Sequence, residues 1–251
     1  MRFNWAPLRH ALSALRTDGA PLRLWWRDDD AIEPGHALDR LADLSGEVGL
    51  PVGLAVIPSL AKPGLAEHLS ARTELVPMVH GWAHANHASA GSKKAEFGQL
   101  RDRAERELGA ALDRSRELFG GALLPVFVPP WNRIAPELEA RLSPLGYVGI
   151  STFGPRTIAP EGLIRLNTHV DPVDWHGRRG LIDPQTLIAR IAAILDDRRR
   201  GRTDPQEPLG YLTHHLIHDD PLWQFSRALL CELLDGGAQP LDPGHFTGDL
   251  E

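Results

Sequence analysis

Seven short apolar runs alternate along this chain with longer segments, and that alternation restricts its fold more than any other feature. The runs are Leu22 to Trp26, Val52 to Ile57, Leu75 to Val79, Leu123 to Val128, Tyr147 to Ser151, Leu163 to Leu166 and Leu209 to Leu212. Each has the length and near-continuous apolarity of a strand buried on both faces. From Lys93 to Phe119, Phe97, Leu100, Ala104, Leu108, Ala111, Ser115 and Leu118 recur at spacings of three and four, which predicts one helix. A second is predicted over Pro184 to Arg198, with Leu187, Ile188, Ile191, Ile194 and Leu195 on one face. The last should open at Asp220-Pro221, a capping residue followed by proline, and stop at Gly236-Gly237. Strands alternating with helices imply a single parallel α/β domain over residues 1–251, either an open sheet or a barrel.

In both architectures functional groups gather at the C-terminal ends of the strands. The polar clusters of this chain obey that rule. Asp28-Asp29-Asp30 follow the first run, His80 the third, Pro129-Pro130-Trp131 the fourth, Asp171 and Asp174-Trp175 the sixth, and His214-His215 the seventh. Five clusters at one end imply a single mouth, whereas an open sheet would spread them along a crevice. A barrel is therefore expected.

Composition narrows the function by exclusion. Lys and Arg number 27 against 33 Asp and Glu, a formal charge of −6, and no basic block is interleaved with aromatics. Nucleic acid and anionic membranes are thus poor partners. The one cysteine, Cys231, excludes an intramolecular disulfide and a thiolate zinc cluster. No stretch approaches the roughly 18 apolar residues of a membrane span, and no apolar run precedes Arg16-Thr17-Asp18-Gly19, so a cytoplasmic protein is expected. The unusual feature is histidine, twelve in all, with six in the clusters His80, His84, His87 and His214, His215, His218.

His80 and His84 are four residues apart, a spacing that lets two imidazoles face one ion, with a carboxylate and water to complete the shell. Gly81 removes the glutamate of an H-E-x-x-H protease. An isolated pair of this kind is commonly just two loop histidines, but the strand end, the neighbouring His87 and the acid cluster shift the balance to metal. Three consecutive aspartates raise one another's pKa unless a cation relieves them, which favours a metal ligand plus a base over a plain helix cap. Arg27 is at hand to compensate. Among His214, His215 and His218, one is placed to act as a general acid with a carboxylate to orient it.

As a set, these motifs resemble the polysaccharide deacetylases (NodB-homology, carbohydrate esterase family four), and the resemblance spans nearly the whole chain. It implies a distorted barrel of seven β/α units. The family's T-F-D-D supplies a base and then a metal ligand; with Arg27 at the threonine these are Asp29 and Asp30, and a slide of one residue gives Asp28 and Asp29. Its H-[ST]-x-x-H matches His80 to His84 except for Gly81, where a hydroxyl that steadies the loop is lost. Its R-x-P-[YW] corresponds to Val128-Pro129-Pro130-Trp131, without the arginine. Its D-x-x-D-W is met in full by Asp171 to Trp175, and its L-x-H-D by Leu212-Thr213-His214, with His215 in place of aspartate.

The resemblance implies hydrolysis that removes an acetyl or other acyl group from an N-acetylated sugar or glycoconjugate. Asp30, His80 and His84 would hold Zn2+, with Co2+ or Ni2+ as substitutes. Asp29 would be the base and His214 the acid, with Leu212 and Trp131 or Trp175 shaping an acyl pocket. The missing arginine would be replaced by Arg27, which strand alternation puts on the face of Asp29, or by Arg133 on the fourth-strand loop. The rival expectations are a hydrolase of a non-sugar C–N bond, such as a cyclic amide or ureide, and an inactive carbohydrate-binding member.

Overall fold

The computed structural model describes residues 3–245. Met1, Arg2 and residues 246–251 of the domain expected over 1–251 lie outside the described residues. All seven expected strands form: β1 (Arg23–Ala31), β2 (Val52–Val56), β3 (Leu75–His80), β4 (Val126–Val128), β5 (Gly149–Ile150), β6 (Ile164–Arg165) and β7 (Leu209–Thr213). A two-residue strand, β8 (Gln239–Pro240), adds to the start of β1. All pairings between strands are parallel, in the spatial order β6-β5-β4-β3-β2-β1-β7.

The sheet curls until its edges meet. After β6, residues 166–170 hydrogen-bond to both sides: Leu166 N–H donates to Ile150 C=O, while His169 N–H reaches Gly210 C=O (2.8 Å) and Leu212 N–H reaches Val170 C=O (2.8 Å). This seam makes a seven-stranded, distorted barrel. Behind it a buried network locks the closure. His169 Nδ1 accepts from Gly210 N–H (3.0 Å), so the ring proton sits on Nε2, 3.1 Å from Glu207 Oε1.

Strand alternation sorts the side chains. Trp25, Ala55, Met78, Val126, Val128 and Leu166 fill the barrel interior, while Trp26, Val79, Phe127 and Ile150 face the surrounding helices. Trp25 fits only because its partner across the strands is Gly210, where a Cβ would overlap the indole. Outside, α1 (Ala6–Thr17) lays Leu8, Leu12 and Leu15 on α7 (Pro184–Arg199), which offers Leu187, Ile188, Ile191 and Leu195. Burying each such leucine contributes about 2 kcal/mol. The remaining helices are α2 (His36–Val48), α3 (Pro63–Ser70), α4 (Ala104–Phe119), α5 (Pro136–Glu139), α6 (Leu142–Leu145) and α8 (Asp220–Asp235).

Three expectations need correction. Helix α4 starts at Ala104 rather than Lys93, because residues 93–103 form a loop in which Phe97 bridges to Ile134 and Glu96 turns inward. The aspartates do not follow β1 but lie within it: Asp28 pairs with both Leu54 and Thr213, and the strand resumes its pairing at Ala31. The cap of α8 is Asp219, whose carboxylate accepts from Leu222 N–H, with Asp220 already in the first turn.

Candidate metal-centred active site

Between Asp28 and Ala31, β1 advances three residues while β2 advances two, from Leu54 to Val56. This bulge changes the direction of the aspartates. Asp29 stays on the interior face and Asp30, at φ 75°, swings over the mouth. His80 ends β3 on the same interior face, and His84 follows on a loop, itself at φ 54°. Five non-glycine residues among those described have positive φ, and Asp30, His84, Trp131 and Asn132 are four of them. Backbone strain of this kind is held in place by surrounding contacts and concentrates at functional sites.

His80 Nε2 lies 3.1 Å and His84 Nε2 3.3 Å from Asp30 Oδ1, and the three donor atoms are all within 4.8 Å of one another. The tautomer of His80 is set by Val128 C=O, 3.0 Å from Nδ1, an acceptor that obliges Nδ1 to carry the hydrogen. Nε2 therefore faces the Asp30 carboxylate, to which it donates when the ring is protonated, and which it joins in offering lone pairs to a cation when the ring is neutral. Burial opposes ionisation of His80, yet Asp29 and Asp30 push its pKa up; burial likewise opposes ionisation of Asp30, yet the His80 contact holds its carboxyl well below the usual range. Burial and His80 together push His84 down.

Asp29 is gripped by Arg27, its neighbour on the same strand face. Arg27 Nη2 donates to Oδ2 at 3.0 Å, and Nε lies 2.9 Å from Oδ1 as a charge contact rather than a directed hydrogen bond. The guanidinium is fully buried and also reaches Ser151 Oγ (2.7 Å), Ser151 C=O (3.1 Å) and Asn132 Oδ1 (2.7 Å). It thereby ties β1 to the ends of β4 and β5. Asp28 points the other way. It takes the Thr213 hydroxyl (2.6 Å), His215 N–H (3.0 Å) and His215 Nδ1 (2.5 Å) in a pair with no solvent access. That contact pushes the His215 pKa up and the Asp28 pKa down against the effect of burial on each.

Across the mouth, Trp175 packs edge-on against His214 at 4.7 Å between centroids and donates Nε1–H to Asp171 Oδ2 at 2.7 Å. Burial raises the Asp171 pKa, with His214 opposing. Trp131 stacks obliquely on His84 at 4.3 Å, and Leu212, opposite Arg27 on β7, is buried. The mouth thus holds Arg27, Asp29, Asp30, His80, His84, Trp131, Asp171, Trp175, Leu212 and His214. It does not hold Asp174, whose carboxylate closes a turn on Gly177 N–H, or His87, which is exposed. Arg133 donates to Lys94 C=O (2.8 Å) and makes no contact with Asp29.

Glu96 is the residue that sequence reasoning missed. Fully buried, it accepts from Ala83 N–H (2.8 Å), Trp82 N–H (3.1 Å) and Ala85 N–H (3.3 Å), two of them between the histidines and one just after His84. A Cβ at position 81, where φ is +58°, would overlap both this carboxylate and the Pro130 ring. The loop is thus steadied by Glu96, and glycine makes room for it. The available signal was Gly98, which weakens the helical reading of Glu96.

No protein-family profile and no curated protein sequence matches the chain. Its fold is nevertheless that of the carbohydrate esterase family 4 deacetylases. The structure of the T48 deacetylase with substrate aligns at TM-score 0.55 with 17% identity, covering 93% of this chain and 95% of that one. The family 4 carbohydrate esterase from Streptomyces lividans in complex with acetate aligns at 0.51 with 16% identity, over 88% and 93%. A pseudoenzyme of the same family from Bacillus anthracis, BA3943, aligns at 0.56 with 12% identity, over 88% and 63%.

Proposed function

We propose that this chain, built on the fold of the polysaccharide deacetylases, is a metal-dependent hydrolase that removes an acyl group from the nitrogen of an N-acylated sugar or glycoconjugate. The observation that carries this reading is the pairing, in one mouth, of an arginine-held carboxylate with two imidazoles and a second carboxylate whose lone pairs converge. The donor set suits a divalent ion: Asp30, His80 and His84 would hold it, with zinc the ordinary choice for two histidines and a carboxylate. Such an ion, when bound, polarises an acyl carbonyl and lowers the pKa of water.

The chain's own groups do the rest. Asp29 takes a proton from the attacking water, and Arg27 holds its carboxylate in place and aimed. His214, edge-on to Trp175 at the opposite side of the mouth, delivers a proton to the leaving amine. Leu212, Trp131 and Trp175 bound the space for a small acyl group. The pseudoenzyme among the structural neighbours shows why activity has to be measured rather than read from the fold.

The test incubates zinc-loaded protein with N-acetylated chitooligosaccharides and, separately, with cyclic amides, and assays acetate and free amine. Release of both from the sugars is expected. Asp29→Asn, His214→Ala and Arg27→Met should each lose on the order of a hundredfold or more in kcat while retaining metal. Turnover of cyclic amides alone would move the chain to another substrate class, and near-wild-type turnover by Asp29→Asn would end the mechanism.

A further inference from the structure

Beside the mouth lies a cavity of about 490 Å3, roofed by the loop between β3 and α4 and floored by the segments after β4 and β5. Asn132 and Thr152 form the wall it shares with the catalytic groups, since both accept hydrogen bonds from Arg27: Asn132 Oδ1 at 2.7 Å and Thr152 C=O at 3.4 Å. Anything bound in the cavity is therefore one side chain away from the Arg27–Asp29 pair.

The lining is cationic. Lys93, Arg133 and Arg165 face it against one carboxylate, Glu139, with Ser89, Gln99 and Thr157 as neutral polar groups. Glu139 is already paired with Arg165. Arg165 Nε is buried, with no partner among the described residues. Arg133 is anchored by the hydrogen bond from one guanidinium nitrogen to Lys94 C=O, and neither it nor Lys93 has a carboxylate within ion-pair distance among the described residues. Three cations, two of them unpaired, thus surround a space next to the site in a chain whose formal charge is −6. Cations kept together without acids are costly unless an anion joins them.

We propose that this cavity receives an anionic substituent of the substrate, so that the N-acyl sugar processed at Asp29 carries a carboxylate or a phosphate. The inference rests on the hydrolase reading above, and it narrows the substrate class from neutral chitin-like polymers to acidic sugars and sugar conjugates.

Binding and turnover are measured separately. The probes are N-acetylglucosamine 1-phosphate for the phosphate source, N-acetylmuramic acid for the carboxylate source and N-acetylglucosamine as the neutral control, each titrated by calorimetry into zinc-loaded protein. At least one anionic probe should bind on the order of tenfold tighter than the neutral sugar. The advantage should shrink as ionic strength rises from about 0.05 M to about 0.5 M. Lys93→Gln, a change at an exposed residue, should remove most of the advantage while leaving the affinity for the neutral sugar unchanged.

Equal affinity for all three probes overturns the proposal, as does an anion preference that survives both Lys93→Gln and Arg133→Gln. If neutral chitooligosaccharides are hydrolysed without any anion preference, the cavity assignment alone fails. If anionic sugars bind in a Lys93-dependent way but no sugar is hydrolysed, the hydrolase reading fails and the anion site stands.

Discussion

At Glu96, three backbone N–H groups flanking His84, those of Trp82, Ala83 and Ala85, converge on one buried carboxylate. Truncating it leaves those donors unpaired, at about 1–3 kcal/mol for each that water cannot reach. The loss should appear where the loop matters most, in the placement of His84. Glu96→Ala is expected to weaken zinc affinity by about 10- to 100-fold, the usual scale for groups that orient metal ligands. Glu96→Gln, which keeps one acceptor oxygen, should fall between that variant and the wild type. Competition against a chelator of known affinity, with circular dichroism to verify folding, measures both, and unchanged affinity in a folded Glu96→Ala would refute the positioning role. Arg27 gives the complementary lesson. Its contact with Asp29 was legible from alternation along one strand, whereas the contacts of Glu96 lie 11 to 14 positions away across a loop of no regular period.

The junction between β7 and α8 illustrates what an element boundary contributes. Residues His215–Ile217 make a single 3-10 turn, and Asp219 caps α8. Between them His218 packs edge-on against Trp223 of that helix, 4.8 Å between ring centroids, with both ring nitrogens unpartnered among the described residues. Burial, with help from His214 and His215 and against Asp28 and Asp219, pushes its pKa down to about 4. The unfolded chain, with His218 near the ordinary value of about 6.5, then binds more protons than the folded one between pH 6.5 and pH 4. This group's contribution is therefore fully present above pH 6.5 and is lost as the pH falls toward 4, by on the order of 3 kcal/mol. His218→Phe keeps the ring contact and removes the proton site. Urea unfolding across this range should show a flatter acid-side decline in the variant than in the wild type, and an identical decline in both would remove His218 from the account. The buried Asp28–His215 pair acts in the opposite sense on its histidine side, losing stabilisation as the pH rises through the raised His215 value, so the wild-type-minus-variant difference is the quantity to read.

Over the whole molecule, stability and site are separable. The three apolar clusters comprise the barrel interior and the two layers between strands and helices, and they contain none of Asp30, His80 or His84. Removing metal with a chelator should leave a folded barrel, unlike a zinc finger, whose fold depends on its ion. Adding zinc at a thousandfold excess over its Kd should stabilise by about 4 kcal/mol, which for a chain of this length raises Tm by roughly 10 °C. Calorimetry of apo and zinc-loaded protein tests this. Replacing His80 and His84 together by alanine should abolish the shift without unfolding the chain, and a shift that persists would locate the metal elsewhere.

What the sequence determined by itself was whatever repeats locally. Seven apolar runs specified seven parallel strands, proline and aspartate marked the start of α8, and alternation along Arg27, Asp28 and Asp29 put the first and third on one face. Each follows from the period of a strand or a helix, which neighbouring residues alone establish. Tertiary structure decided the remainder. The bulge that turns Asp30 over the mouth depends on the register between β1 and β2, and the Asp28–His215 pair joins residues 187 positions apart. The helical spacing through Phe97 and Leu100 was overridden because Glu96 gains three hydrogen bonds, and Phe97 a buried seat beside Ile134, only when residues 93–103 leave the helix. A buried polar group must find partners wherever the fold brings them, and that search runs through space rather than along the chain.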